Sequence, residues 1–592
     1  MISHRPLIAI LASLALVAGL VITSAPARAA GEWIQGYLTD GTTGAPLKDV
    51  CVTLGPPIRC FTQTDANGFY LIDLGALAVQ PGTTWDMYFL KSTTHQTAYS
   101  DKFQVTGPVS FNQVLMPTGQ RELCPTPRAD VPTQSVYLPN VTKTLGGATG
   151  WQTPFIVQNT GTLGASLEVT YNRFLTGKCA VRRTVTNLQP GTSYADVTNN
   201  DTDLPGDTQF SVVVRSFGST VVSVVNEHAG TGARAEALSY VGVNAGSASS
   251  FLPNIVRRFF GYVTPFIIQN LGTLDTTASA KFVSFDGTAP TVTVTRTIPA
   301  GGSKFVDPNS EAGLIDGKQY TVTVTAPDPI SVVVNTHNDA PSVAAPVAYS
   351  TNGITVGAST VYGPYGAKNG GTEKRVSTIV VQNLSLNTIT PSLTFDPLGG
   401  AGTTQIISSP APVDPGHAWA FDPRFTVGTT TPCTTQSSTC LGDGEYGFVA
   451  RSNDPNSQIA VAVNVISATN AMGYTAIPTP TSKVYLPNVT RTLGGVDGWT
   501  TPILLQTVGT GATGATLRWY RFSDGALVHT QTVEIQPGKG LRIDPRTVSQ
   551  LQDNTQYSVV VDGTGGTVAA IVMELASGGD NAMIYEGFPP PP

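Results

Sequence analysis

Charge is scarce in this sequence. Lys, Arg, Asp and Glu make up 12% of the 592 residues, and they sum to a net charge of -6, about half the charged share of an ordinary globular protein. No basic cluster offsets that balance, so nucleic acid and anionic lipid are excluded as electrostatic partners. Histidine is nearly absent, with six scattered residues, and no C-x-x-C occurs, so a zinc site has no ligand set. The chain has no G-x-S-x-G elbow, no H-E-x-x-H, no P-loop and no His followed three residues later by Glu. Catalytic, cofactor-binding and metal-ligating residues are therefore assigned to none, and the chain reads as a non-enzyme without a cofactor. After Ile22 no apolar run is long enough to cross a bilayer, and no amphipathic helix is legible.

What is present is turn chemistry and β-forming residues. Gly (61) and Pro (43) are abundant while 41% of residues are hydrophobic, enough apolar material to fold and far too long a chain for one core. Residues 1–29 read as a secretory signal: Arg5, an apolar stretch from Leu7 to Ile22, and the A-x-A site Ala27-Arg28-Ala29. The mature chain is expected to be secreted or at the cell surface with no transmembrane segment. Six cysteines suit an oxidising compartment. They allow fifteen pairings; proximity alone favours Cys51 with Cys60 across Gly55-Pro56-Pro57, Cys433 with Cys440, and Cys124 with Cys179.

One phrase is written four times. Val136-Tyr137-Leu138-Pro139-Asn140-Val141-Thr142 returns at 484–490, and both copies run into a Leu-Gly-Gly turn. A shorter copy is Phe251-Leu252-Pro253-Asn254-Ile255, and an altered one is Val361-Tyr362-Gly363-Pro364-Tyr365. Each is followed by a strand ending in a Gln at 158, 269, 382 or 506, then a Pro-Gly type of turn, two Val-rich strands and a last strand carrying Tyr240, Tyr349, Tyr474 or Tyr585. Short strands at this spacing predict antiparallel β-sandwiches. The repeats are bounded at 136–242, 251–351, 359–477 and 484–588, after a Pro-rich linker at 118–135. The fold class expected is all-β, a tandem series of sandwiches extended as a rod.

Residues 31–117 differ from the repeats. The order G-x-x-x-D, T-G-x-P-L-x-x-V-x-V-x-L from Thr43 to Leu54, and T-D-A-N-G-x-Y-x-L from Thr64 resembles the carboxypeptidase regulatory-like domain. That resemblance implies a transthyretin-like β-sandwich carried as an appendage on secreted or surface proteins. The repeats' V-Q-N-x-G-T, L-x-V-x-Y and P-G-x-S order is similar to Ig-like or fibronectin-III-like modules of bacterial surface proteins.

Several residues suggest chemistry, each with a plainer reading beside it. Gly509 to Gly514 fits G-x-G-x-x-G, but the next residues alternate as a strand, so a turn is expected. Asp65, Asn67 and Gly68 resemble part of a calcium loop, although Tyr70-Leu71-Ile72 supplies no closing Glu, and an Asx-stabilised turn accounts for them. His228 and His337 occupy one position in two repeats and read as exposed loop residues. The Gln-Asn pairs read as side chains satisfying the following turn. Asn140 and Asn488 head glycosylation sequons. Trp151 and Trp499 sit at matching loop positions, where an exposed indole can stack on a sugar. The expected function is a non-enzymatic, exported surface or extracellular-matrix protein acting by multivalent adhesion or scaffolding, with a cell-surface or extracellular protein or polysaccharide as partner. The alternative is a carbohydrate-binding accessory protein using the two tryptophans.

Overall fold

The structure is a computed structural model that describes residues 33–591 except 42, 56–59, 75–82, 92–93, 96–97, 100–102, 105–108, 116, 118–122, 339–344 and 401. The expected signal segment, 1–29, lies outside the described residues, as do Pro56, Pro57 and the start of the Pro-rich stretch. The chain is all-β: the described residues form strands and three short 3-10 turns, with no α-helix among them. It divides into two compact units, 1–122 and 123–592.

The first unit holds two four-stranded sheets. Trp33–Asp40 pairs antiparallel with Phe69–Asp73 and parallel with Val109–Ser110 and Gln113–Leu115. Cys51–Leu54 is central in the other sheet, between Thr62–Gln63 and Met87–Leu90. Ile34, Leu38, Val52, Tyr70, Met87 and Phe89 fill the space between them. Asp65 Oδ1 accepts the N–H groups of Asn67 at 2.8 Å and Phe69 at 2.9 Å, so the turn is the Asx type. Gly68 has φ +74°, and a Cβ there would stand 2.4 Å from the Leu38 carbonyl oxygen. Only glycine fits.

In the second unit each repeat is built on one plan. In the first repeat, one sheet runs in the order Gln134–Lys143, Thr208–Phe217, Ala165–Arg173, Cys179–Leu188, and the other Ser193–Asp196, Phe155–Asn159, Val221–Ala229, Glu236–Val241. The third and fourth repeats copy this order. In the second, Lys318–Asn338 continues through both sheets as one strand and joins them. Cys124–Cys179 ties the Pro-rich stretch down, where Arg128 N–H donates to Glu168 at 2.8 Å. From Leu123 onward this segment is therefore packed on the first repeat and does not act as a free linker.

The repeated phrase is the opening strand of each repeat, and in all four copies its register slips at the same place: between Leu138 and Val141, Leu252 and Ile255, Gly363 and Gly366, Leu486 and Val489. Proline has no N–H to give a ladder, so the proline shared by all four copies marks a β-bulge. The bulge leaves backbone groups to be satisfied, and the closing strand's tyrosine does this. Tyr240 Oη donates to the Asn140 carbonyl at 2.6 Å and accepts its N–H at 3.2 Å; Tyr585 serves Asn488 in the same way. Tyr474 bridges both groups of Tyr365. Tyr349 does not belong to this set. Tyr240 pairs with Val225 and Tyr585 with Val572, but their equivalent, Val334, pairs with Thr351. Tyr349 lies two residues earlier and packs instead on the third repeat, over Gly473.

The altered phrase has a packing cause. Leu138, Leu252 and Leu486 lie opposite Val212, Val322 and Val559, whereas Gly363 lies opposite Phe448. A Cβ on Gly363 would stand 2.1 Å from the Phe448 ring. Volume has moved across the strand pair, as dense packing requires.

The four repeats form a closed ring, not the expected rod. The opening strand of each repeat packs against the second sheet of the next, and the opening strand of the fourth packs against Phe155–Asn159 and Val221–Ala229 of the first. Ile156, Val222 and Val224 of the first repeat are sealed into the fourth repeat's core, each burial contributing about 1.5–3 kcal/mol. The four closing strands, Glu236–Val241, Val347–Asn352, Ala471–Thr475 and Ala582–Glu586, meet pairwise around the centre. The opening strand is therefore buried on both faces, which is why nearly every residue of the phrase is apolar or bonded.

Candidate functional site at the repeat junctions

Polar groups of the second unit concentrate where repeats meet. Asp580, in the last turn of the fourth repeat, is fully buried. Its Oδ1 accepts the Ala471 N–H at 2.8 Å, its Oδ2 accepts the Ala348 N–H at 2.6 Å, and its own N–H donates to Ala235 at 2.8 Å. One residue thus ties the fourth repeat to the other three, by its side chain to the second and third and by its backbone N–H to the first. Burial pushes its carboxyl up to about 8, and the charge of Glu236 adds to the rise.

Glu227 and Glu574 occupy one position in the first and fourth repeats, both buried. Asn140 Nδ2 donates to both oxygens of Glu227 at 2.9 Å, and Asn335 of the second repeat also bonds it. Glu574 accepts from Asn488 at 2.6 Å and from Asn226 of the first repeat at 2.7 Å. Burial raises each carboxyl to about 8. The two sequon asparagines are therefore buried and bonded, with no room for a glycan in the folded chain.

A second layer follows the same rotation. Trp151 meets His337 of the second repeat edge-on at 5.4 Å between ring centroids, and Trp499 meets His228 of the first repeat at 5.3 Å. The two histidines are thus half-buried junction residues and not exposed loop residues. Burial lowers the His228 imidazole to about 4. Tyr262 holds this position in the second repeat, facing Ile466 of the third across the Tyr349 cluster. In the third repeat the position falls to Arg375, which closes the loop with Gly370 as Trp151 does with Leu145 and Trp499 with Leu493.

Hydroxyls mark the junctions too. Ser211 and Ser558 donate to the Pro-Gly turn carbonyls of Gly301 and Gly191 in the next repeat, both at 2.6 Å, and Thr321 donates to Gly416 at 2.5 Å. The third repeat has Gly447 there, and the nearby polar contacts to the fourth include the Lys539–Asp396 ion pair and Gln506 Nε2 donating to the Phe448 carbonyl at 3.3 Å.

The Gln-Asn pairs split their roles. Asn159, Asn270 and Asn383 satisfy the following turn as expected, each donating to the carbonyl four residues on. The four glutamines are buried, and Gln506 donates across a junction to the Phe448 carbonyl. The cysteines form Cys51–Cys60, Cys124–Cys179 and Cys433–Cys440. Gly509 to Gly514 makes a turn into the strand Gly514–Arg521. Asp580, the glutamates and Arg375 were missed from sequence. An acidic residue inside a Val-rich strand was the available signal for the glutamates; Arg375 needed only alignment to the tryptophans; Asp580 gave none.

No family model matches the chain, and no curated protein matches it. Among solved structures, the chain is similar to the major pilin subunit BcpA of Bacillus cereus (7% identity, 88% of this chain and 97% of that one, TM-score 0.11). A second is a tetra-tandem repeat from the extending region of a large adhesion protein (11% identity, 72% and 92%, TM-score 0.10). A third is a Thermotoga maritima protein (15% identity, 19% and 96%, TM-score 0.16). At these scores the likenesses carry no argument beyond the all-β class seen directly.

Proposed function

We propose that the chain is a non-enzymatic exported surface or extracellular-matrix protein whose four-sandwich ring is a compact scaffold. The N-terminal unit, by its motif order, is a carboxypeptidase regulatory-like module attached to it. The observation that carries this reading is the use of the repeated phrase: in all four copies its outer face packs on the next repeat, and the Pro139 and Pro487 carbonyls at its bulge accept from Ser303 and Ser193 of the next repeat at 3.0 and 3.4 Å. A chain that spends its most repeated residues on assembly invests in shape and presentation. The polar groups that sequence would flag for chemistry, such as Glu227 and Glu574, are occupied by structural bonds. Protease shaving of intact cells tests the localisation: peptides of this chain should be released before cytosolic markers appear. Recovery only from lysed cells would refute it. A screen on peptide, ester and glycan substrates should stay blank.

A further inference from the structure

Three junctions of the ring place an aromatic ring against the next repeat, and the junction between the third and fourth repeats does not. There Arg375 stands where Trp151 and Trp499 stand, and Leu575 replaces the histidine. The missing plug leaves a groove of about 560 Å³, within the range of small-ligand sites. We propose that this groove binds an acidic saccharide, with its carboxylate on the arginines and its hydroxyls on the surrounding polar turns.

Arg375 forms the floor. It is 4% exposed, and its Nη2 donates to Glu373 at 2.7 Å while Nε has no partner. A buried donor left unmade costs about 1–3 kcal/mol, and a guanidinium edge fits a carboxylate with two parallel bonds. Arg542 and Arg546 stand on the same groove. Arg546 is largely exposed and held by Asp544 at 2.7 Å, while Arg542 lies 3.6 Å from Glu445, so both keep donors for a ligand. Thr372, Ser577 and the carboxylates of Glu373 and Asp497 line the walls, with Asn470 Nδ2 donating to Glu373 at 3.1 Å, so acceptors for the hydroxyls of a polyol surround the arginines. No aromatic side chain lines the groove, so recognition falls to the carboxylate and not to stacking on a neutral sugar ring. Few apolar side chains line it either, which favours a saccharide over a peptide. This inference is independent of the scaffold reading.

Calorimetric titration of the intact mature chain with a uronic acid trisaccharide tests it, beside its neutral methyl ester and an acidic tripeptide. The uronate trimer should bind, with the ester and the peptide at least about tenfold weaker, a difference of about 1.4 kcal/mol. Arg542→Ala with Arg546→Ala should weaken binding about tenfold or more with the melting temperature unchanged. Arg375→Trp, which rebuilds the plug, should abolish binding in a folded ring; should it fail to fold, the double arginine variant carries the test. No binding of the uronate at about 10 mM, equal binding of ester or peptide, or full binding by the double variant would overturn the proposal.

Discussion

The closing junction, between the fourth and first repeats, and the one before it, between the third and fourth, use the same positions in opposite ways. At the closing junction Glu574 meets Asn226, Trp499 meets His228, and Ser558 reaches the Gly191 carbonyl. At the other, Val465 and Met573 share one apolar cluster, Arg375 and Leu575 line an open groove, and Gly447 has no hydroxyl to offer. Buried polar pairs require exact partners, so they give a junction its register more than its strength. Apolar contact is more tolerant, and here it permits a groove. The ring is closed specifically at one joint and left open to a ligand at its neighbour.

The largest effect should come from the residue common to both joints. Asp580→Ala leaves the Ala348 and Ala471 N–H groups buried without acceptors and should destabilise the second unit by about 2–5 kcal/mol, read as a fall in the denaturation midpoint; an unchanged midpoint would show that Asp580 is not the tie. Next, Gly363→Leu places a side chain into the Phe448 ring and should cost roughly 3 kcal/mol. Adding Phe448→Val recreates the Leu–Val pair of the other repeats and should recover most of it, a coupling of roughly 2 kcal/mol; failure of the rescue would mean that the cross-strand exchange is not what sets the altered phrase.

The polar joint should also respond to pH. Glu227 and Glu574 ordinarily titrate near 4.5 and Asp580 near 3.8, and in the fold each is raised to about 8. Between those values the native chain keeps protons that the unfolded chain releases, so their contribution is complete at low pH and is lost as pH rises through 8. Melting temperature should therefore fall from pH 6 to pH 9, and Glu574→Gln with Glu227→Gln should flatten the fall; an equal slope in the variant would contradict the assignment. The smallest effect belongs to the half-buried plug. Trp499→Ala should cost about 1–2 kcal/mol, with salt-independent unfolding, and a cost near zero would reduce the plug to a surface contact.

Much of a single repeat was legible. Period-2 alternation, turn residues and the recurring phrase located the strands, and cysteine proximity matched the three bridges. The ring was not, because closure depends on which outer faces are apolar, and strands such as Phe155–Asn159 read only as generally hydrophobic. Tyr349 shows the limit of alignment by residue type: a tyrosine two positions out of register serves the neighbour's junction. Arg375 shows the converse, a residue invisible as a motif that becomes informative once its equivalents are known to be tryptophans.

Ring closure is tested most directly by a covalent link between repeats one and four. A Cβ on Gly525 stands 3.5 Å from the Thr192 Cβ, within disulfide reach. Thr192→Cys with Gly525→Cys in the full chain should form an intramolecular bond on oxidation, identified by mass spectrometry of non-reduced peptides. Two free thiols, or a bond found only between chains, would contradict the closed ring.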